Sequence, residues 1–274
     1  MAYKRILTIQ DISCLGQCST TVALPILSAC GHETCILPTA VLSTHTGGFG
    51  KPVVHHLGTD VDAMVNHWKT QQITFDAILV GYLGSVSAVD SIRRMIRELL
   101  APEGVAVIDP AMADHGKLYS GLDTAYAEAM KALCLEADIM LPNITEAAMM
   151  AGLPYREKPD EAYIRELLAK LGGRDVVLTG AGFHPEQTGA AIRQNGEIFF
   201  VHHEKIGKNC HGTGDMFAAC FTGCLMQGLS MTDAAKLAGE FVSRSILNTV
   251  NEPVHWYGVK FETVIPWLTQ QLFA

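Results

Sequence analysis

Seven residues near the C-terminal end, Asn209-Cys210-His211-Gly212-Thr213-Gly214-Asp215, run straight into the apolar segment Met216–Leu225. Glycines let backbone N–H groups turn towards a ligand with no Cβ in the way. Added to the positive end of a helix, those N–H groups make a site for an anion such as a phosphoryl group. A carboxylate there would repel an anion that is merely bound. It has a use if Asp215 takes the proton of an attacking hydroxyl while the amides hold the phosphoryl under attack. The segment therefore points to phosphoryl transfer to an alcohol. The plainer alternative is a loop whose Asp caps the following helix, because Asp is a favoured N-cap.

Further polar segments follow apolar runs of strand length: Gln10-Asp11-Ile12-Ser13-Cys14-Leu15-Gly16, Ser43-Thr44-His45-Thr46-Gly47-Gly48-Phe49-Gly50, and Gly81-Tyr82-Leu83-Gly84-Ser85. Beyond these come Asp109-Pro110-Ala111-Met112-Ala113-Asp114, Leu141-Pro142-Asn143-Ile144-Thr145-Glu146 and Thr179-Gly180-Ala181-Gly182. Asp109, Asn143 and Glu146 have the chemistry of a magnesium–nucleotide site, since Mg²⁺ prefers oxygen ligands and keeps several waters. Asn143 and Thr145 also read as cap or turn residues for a helix at Glu146. The chain has no Gly-x-x-x-x-Gly-Lys-Ser/Thr string, and the strand–glycine–helix fingerprint for dinucleotides is missing too.

The elements that must position these loops alternate. Strands are expected at Arg5–Gln10, Thr34–Pro38, Ala77–Gly81, Val105–Asp109, Ile139–Leu141 and Asp175–Thr179, nearly continuous apolar runs that suit parallel strands covered on both faces. Between them lie helical patterns at Thr21–Cys30, Asp60–Gln71, Val86–Leu100, Leu122–Leu135, Glu146–Ala151 and Asp160–Leu171. In the third, Ser87 stands before Asp90 at capping-box-like spacing, and Val89, Ile92, Ile96 and Leu99 recur at helical intervals. Asn195-Gly196 between Ala190–Gln194 and Glu197–His202 marks a late antiparallel hairpin. Two helices, Asp215–Gln227 and roughly Thr232–Thr249, are expected to finish the fold. Such alternation gives an α/β layer with a mostly parallel sheet, whose ligands sit at the carboxyl ends of the strands. Without a linker or repeat, residues 1–274 read as one domain.

Composition narrows the class. A hydrophobic share of 49% with 18% charged residues indicates a well-buried core, and a formal net charge of −8 with no Lys/Arg run argues against a nucleic-acid partner. The start, Met1-Ala2-Tyr3-Lys4-Arg5, has no signal-peptide core, and no apolar stretch is long enough for a bilayer, so a cytoplasmic protein without a membrane partner is expected. The eight cysteines contain no Cys-x-x-Cys pair for zinc, and Cys220 and Cys224 share a helix face as core residues.

On these residues the chain resembles the ribokinase-like superfamily and, within it, the vitamin B6 kinases (pyridoxal/pyridoxamine kinases). The matching segments run from Gln10–Gly16 through Ser43–Gly50, Gly81–Ser85, Asp109–Asp114 and Pro142–Glu146 to Gly212–Asp215. His45-Thr46-Gly47 and Gly81-Tyr82-Leu83-Gly84-Ser85 point to the B6 branch. The resemblance implies a three-layer α/β/α fold and ATP-dependent phosphorylation of the 5′-hydroxymethyl group of pyridoxal, pyridoxamine or pyridoxine. Asp215 would be the base, and Gly212, Thr213 and Gly214 the anion hole. Asp109, Asn143, Glu146 and Thr179 would serve the nucleotide. Asp109, Glu146 and Asp114 would position Mg²⁺, and Thr179 would lie near a monovalent-cation site such as K⁺. Thr46 and Tyr82 would line the pyridine pocket, and a homodimer is implied.

Two positions depart from the pattern. Asp11 stands where many B6 kinases have a serine, and would accept from the ring hydroxyl or pair with the pyridinium nitrogen, unless it only caps a turn. Cys210 beside the glycines could add reversibly to an aldehyde substrate, or be a small loop residue. The competing functions are a hydroxymethylpyrimidine kinase of thiamine synthesis, a nucleotide- or vitamer-binding protein without turnover, and a thiol-redox protein using Cys14 and Cys18.

Overall fold

A computed structural model describes residues 3–172, 174–207, 210–252 and 254–274. In chain order the elements are β1 (Arg5–Ser13), α1 (Thr20–Ala29), β2 (Glu33–Leu42), β3 (Val54–His56), α2 (Gly58–Thr70), β4 (Phe75–Val80), α3 (Val86–Leu99), β5 (Leu100–Ile108), β6 (Ala113–Asp114) and β7 (Lys117–Leu118). There follow α4 (Thr124–Cys134), β8 (Ile139–Met140), α5 (Ile144–Ala151), α6 (Glu161–Lys170), β9 (Asp175–Thr179), β10 (Gln187–Gln194), β11 (Glu197–Glu204), α7 (Thr213–Met226), α8 (Met231–Leu247) and α9 (Ile265–Phe273).

Among the described residues, nine strands form one sheet in the order β11-β10-β9-β8-β5-β4-β1-β2-β3. The neighbours from β2 through β1, β4, β5 and β8 to β9 pair in parallel, whereas β3, β10 and β11 are antiparallel additions at the two edges. The side-chain period of two splits each central strand between two apolar layers. Leu7, Ile9, Ile78, Ile108 and Leu178 pack with α2 to α6, while Ile6, Ala77, Leu79, Val107 and Val177 pack with α1, α7, α8 and α9. This is the three-layer α/β/α arrangement expected. The Asn195-Gly196 turn closes the late hairpin with φ of 51° and 84°.

Three features differ from the sequence expectation. The helices do not end at Thr249, since α9 packs Leu268 into the layer beneath α1 and α8; Pro266 inside its first turn had hidden it. Strand β3 and the β6–β7 hairpin are too short for a periodicity signal. The cap of α3 is Ser85, whose hydroxyl accepts the Ala88 N–H at 3.2 Å, and not Ser87. No helix among the described residues is long and apolar enough to cross a membrane. The eight cysteines are free thiols.

Candidate active site

Helix α7 begins at the carboxyl edge of the sheet. Its N-cap is Gly212, at φ 76°, and no side chain caps this end. Asp215 lies in the first helical turn, so it is not the capping residue that the plainer alternative required. Its Oδ2 instead accepts the backbone N–H of Ser19 at 2.9 Å, from the loop between β1 and α1. Gly212 is required twice over. Its φ is positive, and a Cβ there would stand 1.8 Å from the Gln17 carbonyl oxygen. The Thr213 hydroxyl donates to the Cys210 carbonyl at 3.4 Å, and Cys210 itself packs against the apolar layer around α7 and α8. Asn209 lies outside the described residues.

Asp109 follows β5 directly, and its Oδ1 accepts the Ala111 N–H at 3.1 Å. Its Oδ2 faces the start of α7, 4.0 Å from where a Cβ on Gly214 would be. Glu146 is buried and fully engaged. Oε1 accepts the Met112 and Ala113 N–H groups at 2.9 and 3.3 Å, and Oε2 accepts that of Asn143 at 2.9 Å. Asn143 completes a capping box on α5 by accepting the Glu146 N–H at 3.0 Å, and its amide donates to the Ala113 carbonyl at 2.8 Å. The cap reading of Asn143 thus describes its side chain. Thr179 ends β9 against Pro142, and Asp114 sits exposed on the β6–β7 turn, its Oδ1 accepting the His115 N–H at 2.7 Å.

Crowding of carboxylates sets the electrostatics. Burial, reinforced by the charge of Glu146, pushes Asp109 up. Burial raises Glu146 too, although three backbone N–H groups pull it down. Asp215 is pushed up to about 7 by burial and by the charges of Asp109 and Asp11, against the Ser19 hydrogen bond. Such a cluster calls for a cation. The described residues contain no group of three His, Cys, Asp or Glu side chains able to hold a metal ion. Mg²⁺ is in general held through one or two carboxylates plus waters and substrate phosphate oxygens. Asp109 has an oxygen to offer it, whereas both Glu146 oxygens are already bonded to backbone.

Asp11 is the other carboxylate whose charge acts on Asp215. Asp11 is 3% exposed. Burial raises its pKa, while hydrogen bonds from Ser19 and Ser13 and the nearby His45 lower it. The Tyr82 phenol is raised by burial and then by the charge of Asp11, which places these two predicted pocket residues together. Thr46 is exposed, while its neighbour His45 is buried, accepts the Gly47 N–H on Nδ1 at 3.0 Å, donates from Nε2 to the Tyr257 carbonyl at 2.9 Å, and lies against the His211 ring, tilted by 43° with centroids 4.9 Å apart. Phe49 packs against His45, Trp256 and Tyr257.

Ser19, Gln17 and the aromatic stretch His255–Tyr257 escape sequence reasoning. They carry no motif, and they reach the site only through folding. Tyr119 escapes it as well, although Glu146, Asp109, Asp114 and Asp215 all act on its phenol. The one signal was glycine. Gly16, at φ 103°, leaves space that a Cβ would take to within 2.0 Å of the His45 ring. Cys18, half of the thiol-redox alternative, has its thiol pushed strongly up by burial and by Asp215 and Asp11, the reverse of what a reactive thiol needs.

The family model for phosphomethylpyrimidine kinase matches residues 26–257. A pyridoxine/pyridoxal/pyridoxamine kinase of Bordetella bronchiseptica is 27% identical over 89% of both chains. A hydroxymethylpyrimidine/phosphomethylpyrimidine kinase of Bacillus subtilis is 28% identical over 64% of this chain and 65% of its own. The crystal structure of pyridoxal kinase from Lactobacillus plantarum superposes with a TM-score of 0.90 at 32% identity, covering 98% of each chain.

Proposed function

Because the chain belongs to the phosphomethylpyrimidine kinase family of phosphotransferases, we propose that it transfers the γ-phosphoryl group of ATP to the 5′-hydroxymethyl group of a B6 vitamer. One observation carries this reading: Asp215 stands in the first turn of α7, at an end that no side chain caps, and within reach of the charges of both Asp109 and Asp11. Asp215 accepts the hydroxymethyl proton as the alcohol oxygen bonds to phosphorus and the bond to the β-phosphate oxygen breaks, releasing ADP. The uncapped backbone at Gly212, Thr213 and Gly214 faces the charge that develops on the phosphoryl oxygens. Bound Mg²⁺ would neutralise phosphate charge. Asp109 would hold it, with Glu146 anchoring the backbone beneath and Asp114 at the margin. Thr179 would border a K⁺ site.

A hydroxymethylpyrimidine substrate is the second reading, favoured by the family description and by the Bacillus subtilis relative. Phosphorylation assayed across pyridoxal, pyridoxamine, pyridoxine and hydroxymethylpyrimidine separates the two. The proposal expects at least tenfold greater kcat/KM on a B6 vitamer, and turnover of the pyrimidine alone would overturn it.

The pH dependence follows from the sign of one shift. A base acts only when ionised, and the Asp215 carboxyl is raised to about 7. So kcat/KM is expected to fall as pH drops through about 7, a far higher midpoint than an ordinary carboxylate gives, near 3.9. A pH–rate profile that stays level down to the usual carboxylate range would contradict the assignment.

Asp11 is the candidate discriminator among vitamers. It is buried beside Tyr82, where a carboxylate favours the cationic ring or amine form. Asp11→Ser is expected to lower the pyridoxamine-to-pyridoxal ratio of kcat/KM by about 5- to 30-fold, the equivalent of 1–2 kcal/mol. An unchanged ratio would remove Asp11 from specificity.

A further inference from the structure

Ser19 is the least expected residue at this site. It is buried, 5% exposed, and carries φ 54° and ψ −131°, a backbone conformation that glycine adopts freely and serine does not. It occupies the N-cap of α1, where a serine hydroxyl ordinarily accepts a helix N–H, yet it makes no such bond. The hydroxyl lies instead near enough to the Asp11 carboxylate to favour its charged form, beside the Ser13 hydroxyl that donates to Asp11 Oδ2 at 2.9 Å. The strained peptide then directs its N–H at Asp215 Oδ2, at 2.9 Å. Its carbonyl remains in ordinary use, accepting the N–H groups of Val22 and Ala23.

The flanking chain is fixed from several sides. The Thr21 hydroxyl donates to the Cys18 carbonyl at 2.8 Å. The Gln17 amide donates to Glu262 at 2.8 and 3.0 Å, and its oxygen meets His255 Nε2 at 2.7 Å. The Gln17 carbonyl abuts Gly212 at the start of α7. A strained residue persists only where its surroundings over-determine it, and such residues cluster at functional sites.

We propose that Ser19 is a positioning residue for Asp215: its hydroxyl, held by Asp11, locks the strained peptide so that its N–H orients the carboxylate towards the alcohol pocket. The two carboxylates are thereby linked through one residue, the pocket acid through the side chain and the base through the main chain. This rests on Asp215 being the base.

Ser19→Gly provides the discriminating test. If the residue merely shaped a turn, glycine would serve as well or better, because it takes this φ without strain. The proposal expects unaltered or higher Tm, KM for ATP and vitamer within about twofold, and kcat lower by about tenfold to a hundredfold, the scale on which a misplaced catalytic group costs rate. Ser19→Ala, which keeps the strain but loses the hydroxyl, is expected to show the same kcat loss. In combination with Asp11→Ala the losses should fail to multiply, since both changes remove the same side-chain interaction. Wild-type kcat in Ser19→Gly, or fully multiplying losses, would overturn the proposal. An arm independent of turnover keeps it apart from the substrate assignment. The Ser19 amide proton, followed by ¹⁵N NMR, is expected to move upfield in Asp215→Asn, and an unmoved resonance would also overturn it. Absence of turnover on every vitamer by the wild-type protein would count against the function proposed above and leave that NMR outcome readable.

Discussion

Replacing Asp215 by asparagine is expected to lower kcat by about 10²–10⁴-fold, the contribution of a general base, with ATP and vitamer binding retained. Asparagine keeps the size of the side chain and an oxygen for the Ser19 N–H, which Asp215 meets at 2.9 Å. What it loses is the ability to take a proton. Removing a carboxylate from this crowd also relieves repulsion, because Asp109 and Asp11 both act against the charge of Asp215. The variant is therefore expected to be at least as stable as the parent, and calorimetry alongside steady-state kinetics would show both effects. The inflection near neutral pH should vanish with the rate. Dissociation constants from titration calorimetry should stay within a few-fold. A variant that retains most of its turnover would remove Asp215 as the base, and one that binds neither ligand would place the residue in binding instead.

Gly212→Ala is expected to do comparable damage through the backbone. Alanine at φ 76° costs roughly 1–2 kcal/mol for the left-handed conformation alone. Its Cβ would also overlap the Gln17 carbonyl oxygen, 1.8 Å away, so either α7 or the Gly16–Ser19 segment must shift. Any shift would move the N–H groups proposed to hold the phosphoryl group, and losing one such donor typically costs about 10²–10³-fold in kcat. Since the displaced partner is the loop that carries Ser19, the base is disturbed as well. A combined loss of 10³-fold or more in kcat/KM, with Tm lowered by several degrees, is on the order these terms imply. Near-parental kinetics would mean that the turn neither holds the phosphoryl group nor steadies Asp215.

Much of the architecture was legible because its determinants are local. Near-continuous apolar runs gave β1, β2, β4, β5 and β9, and the turn pair Asn195-Gly196 gave the β10–β11 hairpin. Elements of two or three residues, such as β3, β6 and β7, have no period to detect. The helix α9 is hard to read from sequence because a proline stands at the start of its first turn. For Asn143 both readings were open, and the capping box shows that its side chain is occupied by backbone.

The sequence by itself determined the class of chemistry and the end of the sheet at which it occurs. Glycines, carboxylates and an uncapped helix start recur after successive strands, and parallel topology places all those loops on one edge. It also set Asp215 in the first turn of α7, since Gly212-Thr213-Gly214 fixes where that helix begins. Only the tertiary structure decided which residues touch that acid. The Ser19 N–H that orients it lies 196 positions away in sequence, and the Gln17 carbonyl that excludes a side chain at Gly212 is equally remote. Contacts of that kind depend on the crossing of α1 against α7 and leave no periodic trace. A left-handed serine that forgoes its cap looks, in sequence, like any other serine before a helix.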